Sequence, residues 1–162
     1  LIPERHPLAS VNDSFNAVFV HGDAVDDAMF YGRGAGELPT ASAVVGDIFD
    51  IARNLQYECC GRISCTCYKQ LPIKAMDDIC SKYFLRMLVE NEPGVLAAVT
   101  AVFGDRKVSI EQIIQKKKIG ELAEIVVITE KVKERHVKDS LKAFEEMTAV
   151  KKVSSVIRVY GE

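Results

Sequence analysis

The fold is decided by a strand-like run that leads directly into a helix start. The run is Tyr83-Phe84-Leu85-Arg86-Met87-Leu88-Val89, and the helix start is Asn91-Glu92-Pro93-Gly94-Val95-Leu96. Pro93 suits the first turn of a helix, because the N–H that proline lacks has no intrahelical partner there. Gly94 lets a ligand approach the backbone. Free N–H groups at a helix start favour an anion such as an amino-acid carboxylate, and Asn91 is a candidate for holding the amino group of such a ligand. The same residues also suit a plain strand-to-helix turn, so both interpretations stand on these residues alone.

The surrounding pattern predicts four strands and two helices. Apolar periodicity places strands at 83–89, 108–117, 122–129 and 153–160, and helices at 93–105 and 134–147. Val137, Leu141 and Phe144 are expected to face inward from the second helix, and Gly120 marks a hairpin turn. The order βαββαβ within about 80 residues is the ferredoxin-like arrangement, with two helices on one face of an antiparallel sheet. Ser109, a small polar residue among apolar neighbours, is predicted to face the same pocket as the helix start.

The first 56 residues predict a hairpin followed by a helix. Strands are expected at 15–20 and 28–31, joined by a turn at His21-Gly22-Asp23. A glycine-rich loop, residues 32–36, precedes a helix that Pro39 and Thr40 are expected to open, with Thr40 as its cap. The apolar stripe of this helix consists of Val44, Ile48, Ile51, Ala52 and Leu55. The glycine-rich loop favours a plain turn or an approach of backbone to a phosphate, and it lacks the spacing of a dinucleotide-binding fingerprint.

Charge and composition narrow the function classes. The net charge of −2 argues against nucleic acid as a partner. Residues 1–58 contain nine acidic and three basic residues, whereas residues 59–162 contain fourteen acidic and eighteen basic residues. This difference in charge suggests two modules. No uncharged apolar run approaches the roughly 20 residues of a membrane span. Because the sequence begins with Leu1 rather than Met, we expect a piece of a longer protein or a processed product.

The cysteines concentrate in a connector predicted at 57–82. They are Cys59, Cys60, Cys65, Cys67 and Cys80. An odd number of cysteines without a secretion signal suggests reduced thiols and a cytoplasmic protein. A zinc or iron–sulfur site is an alternative, but paired Cys-x-x-Cys motifs are absent, so we predict no metal.

Residues 85–129 resemble an ACT domain, the regulatory module that binds amino acids in many biosynthetic enzymes. The resemblance lies in a strand, then Asn91-x-Pro93-Gly94-Val95-Leu96, then Phe103-Gly104, then Val108-Ser109-Ile110. It implies a ligand held by Asn91, Pro93, Gly94, Val95, Leu96, Ser109 and Ile110, between the start of the first helix and the second strand, often at an interface between two such domains. Many members have Asp at the position of Asn91, and Asn keeps the carbonyl acceptor but loses the charge.

The residues before the ACT-like region resemble the end of the catalytic region of homoserine dehydrogenase. The similar stretches are His6-Pro7-Leu8-Ala9, Phe15-Asn16-Ala17-Val18, Met29-Phe30-Tyr31-Gly32-x-Gly34-Ala35-Gly36 and Pro39-Thr40-Ala41-Ser42. The linker of members with a trailing ACT domain is matched by Gly61-Arg62-Ile63 and Cys65-Thr66-Cys67-Tyr68. The family more often has Gly where this chain has Asp13 and Asp26.

This second resemblance implies an NAD(P)-dependent enzyme that interconverts homoserine and aspartate semialdehyde in threonine and methionine biosynthesis. It implies contact of Gly34, Ala35 and above all Gly36 with the nicotinamide nucleotide. No lysine precedes Lys69 and no dinucleotide fingerprint is present, so we expect no catalytic residue here and no tight cofactor binding by this chain alone.

Together these observations predict an α+β chain in three parts. Residues 1–56 form the end of a dehydrogenase catalytic region, 57–82 a cysteine-containing linker, and 83–162 a ferredoxin-like βαββαβ ACT domain. The expected partners are a small amino-acid effector, with threonine favoured, the upstream catalytic region, and a second copy of the chain; neither nucleic acid nor a membrane is expected. The alternatives are a stand-alone amino-acid-binding ACT module and a dimerisation domain without catalysis.

Overall fold

The computed structural model describes residues 1–59, 69 and 71–161. Its strands are β1 (Phe15–Gly22), β2 (Asp26–Arg33), β3 (Cys80–Glu90), β4 (Ile110–Ile119), β5 (Leu122–Thr129), β6 (Val132–Lys133) and β7 (Val150–Val159). Its α-helices are α1 (Glu37–Gln56), α2 (Val95–Asp105) and α3 (Glu134–Glu146), and short 3-10 helices lie at Pro7–Ser10 and Met76–Asp78. The chain divides into two compact units, Leu1–Pro3 with Pro72–Glu162, and Glu4–Leu71.

The larger unit has the predicted ferredoxin-like topology. Its antiparallel sheet has the order β4-β5-β3-β7, and the two-residue β6 pairs with the start of β3. Alternate residues of β3 are buried, namely Tyr83, Leu85, Met87 and Val89. They share one core with Val99 and Phe103 of α2 and with Val137 and Phe144 of α3. Both helices therefore cover the same face of the sheet.

Two aromatic rings join the helices above this sheet. The rings of Phe103 and Phe144 are 5.0 Å apart between centroids and meet edge to face. Neither side chain is exposed to solvent. Leu141 packs partly buried against the same core, so the inward face predicted for α3 is confirmed. Burial of one such phenylalanine side chain contributes about 1.5–3 kcal/mol, which makes this pair a main reason for the packing of α2 beside α3.

The smaller unit contains the predicted hairpin. Strands β1 and β2 pair from Phe15 with Arg33 to Gly22 with Asp26. The turn predicted at His21-Gly22-Asp23 is therefore placed wrongly, because His21 and Gly22 still belong to β1. Both Asp13 and Asp26 have positive φ, at 57° and 51°. Glycine would suit both positions, since glycine adopts that backbone conformation without strain and aspartate only tolerates it.

The starts of α1 and α2 differ from their predictions, whereas α3 begins at Glu134 as predicted. Helix α1 begins at Glu37 with Gly36 at its N-cap and no side-chain cap, so Thr40 is not the cap. The Thr40 N–H instead donates to the Gly36 carbonyl at 3.1 Å, in the first helical turn. Helix α2 begins at Val95, so Pro93 lies in the preceding turn and not in the helix. Gly94 between them has φ +90° and ψ −19°, a left-handed conformation that separates Pro93 from the helix.

A cluster of hydrogen bonds around Glu134 links α3 to β3 and β7. The Tyr83 hydroxyl donates to Glu134 Oε2 at 2.5 Å, and Arg158 Nη2 donates to the same oxygen at 2.7 Å. Burial by itself raises the pKa of Glu134, but the hydrogen bonds from Tyr83 and Arg158 outweigh it, so the pKa is lower than the ordinary value. Burial and the bond to Glu134 raise the pKa of Tyr83. The folded state therefore favours ionised Glu134 and neutral Tyr83.

Replacing the charged acceptor should lower stability in a pH-dependent manner. Glu134→Gln is expected to reduce the free energy of unfolding by about 1 kcal/mol at pH 7, because two donors lose an ionised partner. Since folding lowers the pKa of Glu134, this contribution is present above the unfolded value of about 4.3 and disappears as the pH falls through the folded pKa. Urea unfolding at pH 7 and pH 3 measures the difference. The control is Glu145→Gln on an exposed site of α3; an equal loss in both variants, or a loss that persists at pH 3, contradicts the prediction.

Candidate functional site

The predicted ligand-binding turn lies where β3 ends and α2 begins. The backbone N–H of Asn91 donates to the Glu121 carbonyl at 3.1 Å, which fixes the turn to the start of β5. Pro93 and Gly94 are exposed, whereas Val95 packs partly buried against the core. We call the surface formed by Asn91, Pro93, Gly94, Leu96 and Gln115 the α2 entrance.

Helix α2 presents backbone donors at this entrance. Its first intrahelical bond runs from the Ala98 N–H to the Gly94 carbonyl at 2.9 Å. The N–H groups of Leu96 and Ala97 precede that bond and have no carbonyl within the helix to receive them. A Cβ built at Gly94 would meet no atom within 4 Å, so the backbone is open to solvent there. Together with the helix dipole, these donors favour a negatively charged group.

The side chain of Asn91 has a partner that the sequence pattern did not reveal. Gln115 Nε2 donates to Asn91 Oδ1 at 3.2 Å. Gln115 of β4 pairs with Ile125 of β5, and Ile125 pairs with Met87 of β3. Because paired residues of neighbouring strands share a face, the Gln115 side chain lies on the side of the sheet that the helices cover. Finding Gln115 required the strand order β4-β5-β3, because 24 residues separate the two amides along the chain.

Ser109 and Ile110 do not lie beside Asn91 in one chain. The Ser109 carbonyl accepts from the Glu130 N–H at 2.9 Å, whereas Asn91 bonds to Glu121 at the other end of β5. Nine residues of an extended strand span roughly 30 Å. The expectation that Ser109 faces the same pocket as the α2 start is therefore wrong within a single chain. The second strand begins at Ile110 rather than at Val108, so Ser109 lies just before it, with its side chain exposed.

The glycine-rich loop forms an open groove with the start of α1. Its lining consists of Gly34, Ala35, Gly36, Glu37, Thr40, Ala41, Val44 and Val45. A Cβ on Gly34 would lie 1.5 Å from Asn16 Nδ2, so any larger residue there would require the exposed Asn16 side chain to move. Gly36 has φ +126°, a conformation that L-residues rarely adopt. The backbone conformation by itself therefore favours glycine at position 36. The structure thus brings the three predicted nucleotide-contacting residues together on an exposed surface.

Only part of the cysteine cluster falls within the described residues. Cys59 and Cys80 are free and exposed, and the placement of Cys60, Cys65 and Cys67 lies outside the described range. Among residues 1–59, 69 and 71–161, no group of three or more His, Cys, Asp or Glu side chains is arranged to hold a metal ion. Nor does the described part of the chain contain a helix with the length and apolarity needed to cross a membrane.

Comparison with known proteins supports both resemblances. Residues 1–49 match the family model for homoserine dehydrogenase, and residues 83–148 match the model for the ACT domain. The chain therefore combines a segment similar to homoserine dehydrogenase with a segment similar to the ACT domain. The ACT match and the β4-β5-β3-β7 sheet agree on the ferredoxin-like βαββαβ fold.

Relatives named homoserine dehydrogenase align with almost the whole chain. The protein from Neisseria gonorrhoeae is 41% identical over 98% of this chain, and the protein from Bacillus subtilis is 39% identical over 99%. The crystal structure of a homoserine dehydrogenase from Thiobacillus denitrificans is 35% identical, with a TM-score of 0.76 over 98% of this chain. The chain spans 38% of the length of the first two relatives and 37% of that crystallised chain.

The left-handed backbone conformation at Gly94 makes the α2 entrance sensitive to substitution at this position. Gly94→Ala is expected to destabilise the ACT domain by about 1–2 kcal/mol, because an L-residue is strained in the left-handed conformation. The space around the site is open, so strain and not a clash causes the loss. The measurement is the free energy of unfolding in urea.

Gly104→Ala, within α2, is the matched control for that substitution. A Cβ at Gly104 also meets no atom within 4 Å, and its φ is not in the left-handed range. Alanine there should stabilise the helix by up to about 1 kcal/mol. If both glycine substitutions change stability in the same direction, strain at Gly94 is not the cause.

Proposed function

We propose that the longer protein to which this chain belongs is a homoserine dehydrogenase, which interconverts homoserine and aspartate semialdehyde with NAD(P). The observation that carries this proposal is that relatives of that name align with 98–99% of the chain. The relatives cover both the segment at 1–49 and the ACT domain at 83–148. A stand-alone sensor module would have no need for the first segment, so we favour the enzyme over that alternative.

We infer that the ACT domain binds a small amino acid, with threonine the favoured ligand, and that binding regulates the enzyme. The backbone donors of α2 at Leu96 and Ala97 suit the ligand's carboxylate, and the open surface over Gly94 admits the ligand to the backbone. Regulation requires that the ligand bind one arrangement of the enzyme more tightly than another. Threonine is a product of the proposed pathway, which makes it a sensible feedback effector.

A second copy of the chain would supply the remaining predicted ligand contacts. Ser109 and Ile110 lie at the opposite end of the sheet from Asn91, so one chain cannot bring both groups to one ligand. Two ACT domains related by a two-fold axis, with their β3 strands antiparallel, place the Ser109 end of each domain beside the Asn91 end of the other. The separation therefore supports the proposal of a homo-oligomer with effector sites between ACT domains.

The dehydrogenase segment carries surfaces suited to further packing. Helix α1 has 20 residues, and none of them is buried. Its apolar stripe includes Val44, Ile48, Ile51 and Leu55, with exposures from 53% to 75%. A contiguous apolar helix face on the surface marks a site of protein contact. We propose that α1 packs against the nucleotide-binding part of the longer protein.

The groove at Gly34, Ala35 and Gly36 is the proposed contact with the nicotinamide nucleotide. Its backbone is accessible and it opens onto the first turn of α1, which suits an approach of the cofactor. The carboxylate of Glu37 lies in that first turn and disfavours a phosphate there, so we assign Gly36 to the nucleoside side of the cofactor. NAD(P) itself supplies the hydride acceptor or donor of the reaction, and this chain contributes only to its placement.

The 162-residue chain alone is expected not to oxidise homoserine. No lysine precedes Lys69 and no dinucleotide-binding fingerprint is present, so we expect the catalytic lysine and most of the cofactor site to lie outside these residues. A spectrophotometric assay of NAD(P) reduction with homoserine tests this, with a full-length homoserine dehydrogenase as the positive control. Turnover by the purified chain would place the catalytic groups within these residues and overturn the assignment.

Calorimetric titration with L-threonine tests the regulatory proposal. We expect binding with a dissociation constant in the micromolar to millimolar range, and no binding of D-threonine, because the carboxylate and amino groups must meet fixed donors and acceptors. L-Isoleucine, L-methionine and L-serine define the selectivity. Absence of heat for every amino acid at millimolar concentration would favour the alternative of an ACT domain that serves only in dimerisation.

A further inference from the structure

The larger unit contains the chain on both sides of the smaller unit. Leu1–Pro3 and Pro72–Glu162 belong to the larger unit, whereas Glu4–Leu71 form the smaller one. The chain therefore leaves the larger unit after Pro3 and returns to it at Pro72. The contacts of these two flanking segments decide where the ends of the smaller unit are attached.

The first attachment is a backbone pairing between Leu1 and the end of β7. The Leu1 amino group donates to the Arg158 carbonyl at 2.6 Å, and the Tyr160 N–H donates to the Leu1 carbonyl at 2.7 Å. The two bonds flank Val159, which is the pattern of a parallel strand pair. A peptide N–H at position 1 can donate in the same way, so the pairing does not require a charged terminus.

The second attachment joins the end of the connector to the start of α3. The Glu134 N–H donates to the Ile79 carbonyl at 2.9 Å. Ion pairs between the 3-10 helix at Met76–Asp78 and α3 reinforce this bond, namely Asp77 with Lys138 at 2.6 Å and Asp78 with Arg135. Exposed ion pairs are individually weak, but these two act on the same short segment as the backbone bond.

Glu134 connects the two attachments. Its backbone N–H holds Ile79, and its Oε2 accepts from Arg158 Nε at 3.0 Å and from Arg158 Nη2 at 2.7 Å. The carbonyl of the same arginine accepts from Leu1. The Glu134 side chain is only 13% exposed, so solvent ions screen its bond to Arg158 less than they screen a surface pair.

We propose that Glu134 is the common anchor by which the ACT domain holds both ends of the smaller unit. Because one residue bonds to Ile79 and to Arg158, a displacement of the α3 start moves the end of the connector and Leu1 together. The anchor forms within the chain itself, so it requires neither a bound effector nor catalytic activity. It gives the ACT domain a single site from which to position the residues on both sides of 4–71.

Hydrogen exchange of the Tyr160 N–H, followed by NMR in the 162-residue chain, tests the first attachment. Deletion of residues 1–3 removes the acceptor, so the exchange rate of Tyr160 should rise by about threefold or more relative to that of Val127. Val127 lies in the core, and its rate corrects for any loss of global stability. An unchanged ratio of the two rates would show that Leu1 is not the partner and would overturn the proposal.

The link through Glu134 is tested with a matched pair of substitutions. Glu134→Gln removes the charge that holds Arg158, so the ratio of Tyr160 to Val127 exchange should rise by about two- to fivefold. Glu111→Gln removes a comparable ion pair, of 2.7 Å to Lys82, a residue that pairs with the end of β7. This control should leave the ratio unchanged. Equal ratios in the two variants would overturn the role of Glu134.

The connector side is tested by Arg135→Gln/Lys138→Gln, which removes two cations that hold the 3-10 helix. Trypsin should then cleave after the exposed Lys74 about two- to fivefold faster, while the sequence around that bond stays unchanged. The control, Lys107→Gln/Lys152→Gln, removes the same charge at exposed positions outside α3. Equal cleavage of the two double variants would show that these ion pairs do not hold the connector, and would overturn the second attachment.

The same double variant distinguishes a common anchor from two independent attachments. Release of the connector loosens the start of α3, so a common anchor predicts that the ratio of Tyr160 to Val127 exchange also rises. Independent attachments predict faster cleavage after Lys74 with an unchanged exchange ratio. That second pattern would overturn the proposal even though both attachments exist.

Discussion

Backbone pairing on both sides of β3 is the constraint on which the ACT domain depends. β3 pairs with β5 along one edge and with β7 along the other, and β6 pairs with its first residues. Its odd-numbered residues, from Tyr83 to Val89, are buried beneath both helices. Because successive side chains of a strand alternate between faces, a shift of one residue would expose this whole set and bury Arg86. The register of β3 thus fixes the sheet, the core and the point at which α2 leaves it.

The position of α2 in turn shapes the proposed effector site. Asn91 directly follows β3, and its backbone N–H donates to the carbonyl of Glu121, the residue before β5. This hydrogen bond fixes the first part of the turn that leads to Gly94 and α2. Phe103, near the other end of α2, packs against Phe144 of α3 and holds the helix axis in place. The exposed donors at the start of α2 consequently sit on a rigid support. Such preorganisation lowers the entropy cost of binding, which suits a small ligand with few contacts.

The dehydrogenase segment has a different physical character. Its hairpin contains a stacked pair of rings, Phe15 and Tyr31, at 4.9 Å between centroids, yet α1 has no buried residue. Short segments with a single hairpin and helix bury too little apolar surface to be stable alone. The exposed stripe of α1 agrees with the proposal that this helix packs against another part of the longer protein. Among the described residues, the ACT domain by contrast contains its own core of thirteen buried apolar residues.

Much of the fold followed from local patterns in the sequence. Alternating apolar residues predicted β3 and β5, the helical period predicted α3 with Val137 and Phe144 inward, and the glycine at 120 predicted the hairpin between β4 and β5. Each of these depends on residues close together in the chain, where propensity and periodicity act directly. The starts of α1 and α2 were predicted less accurately, because Pro93 and Thr40 suit several positions in the first turn of a helix. The backbone conformations of Gly94 and Gly36 set the observed starts.

The sequence by itself determined the βαββαβ order, the position of the turn after β3 and the resemblance that names both segments. Only the tertiary structure decided which side chains meet at that turn. Strand order brought Gln115 to Asn91 across β5, and the same order carried Ser109 to the far end of the sheet. The physical reason is that side-chain contacts between strands depend on their order and register, which are set by the burial of a whole face and not by any single motif.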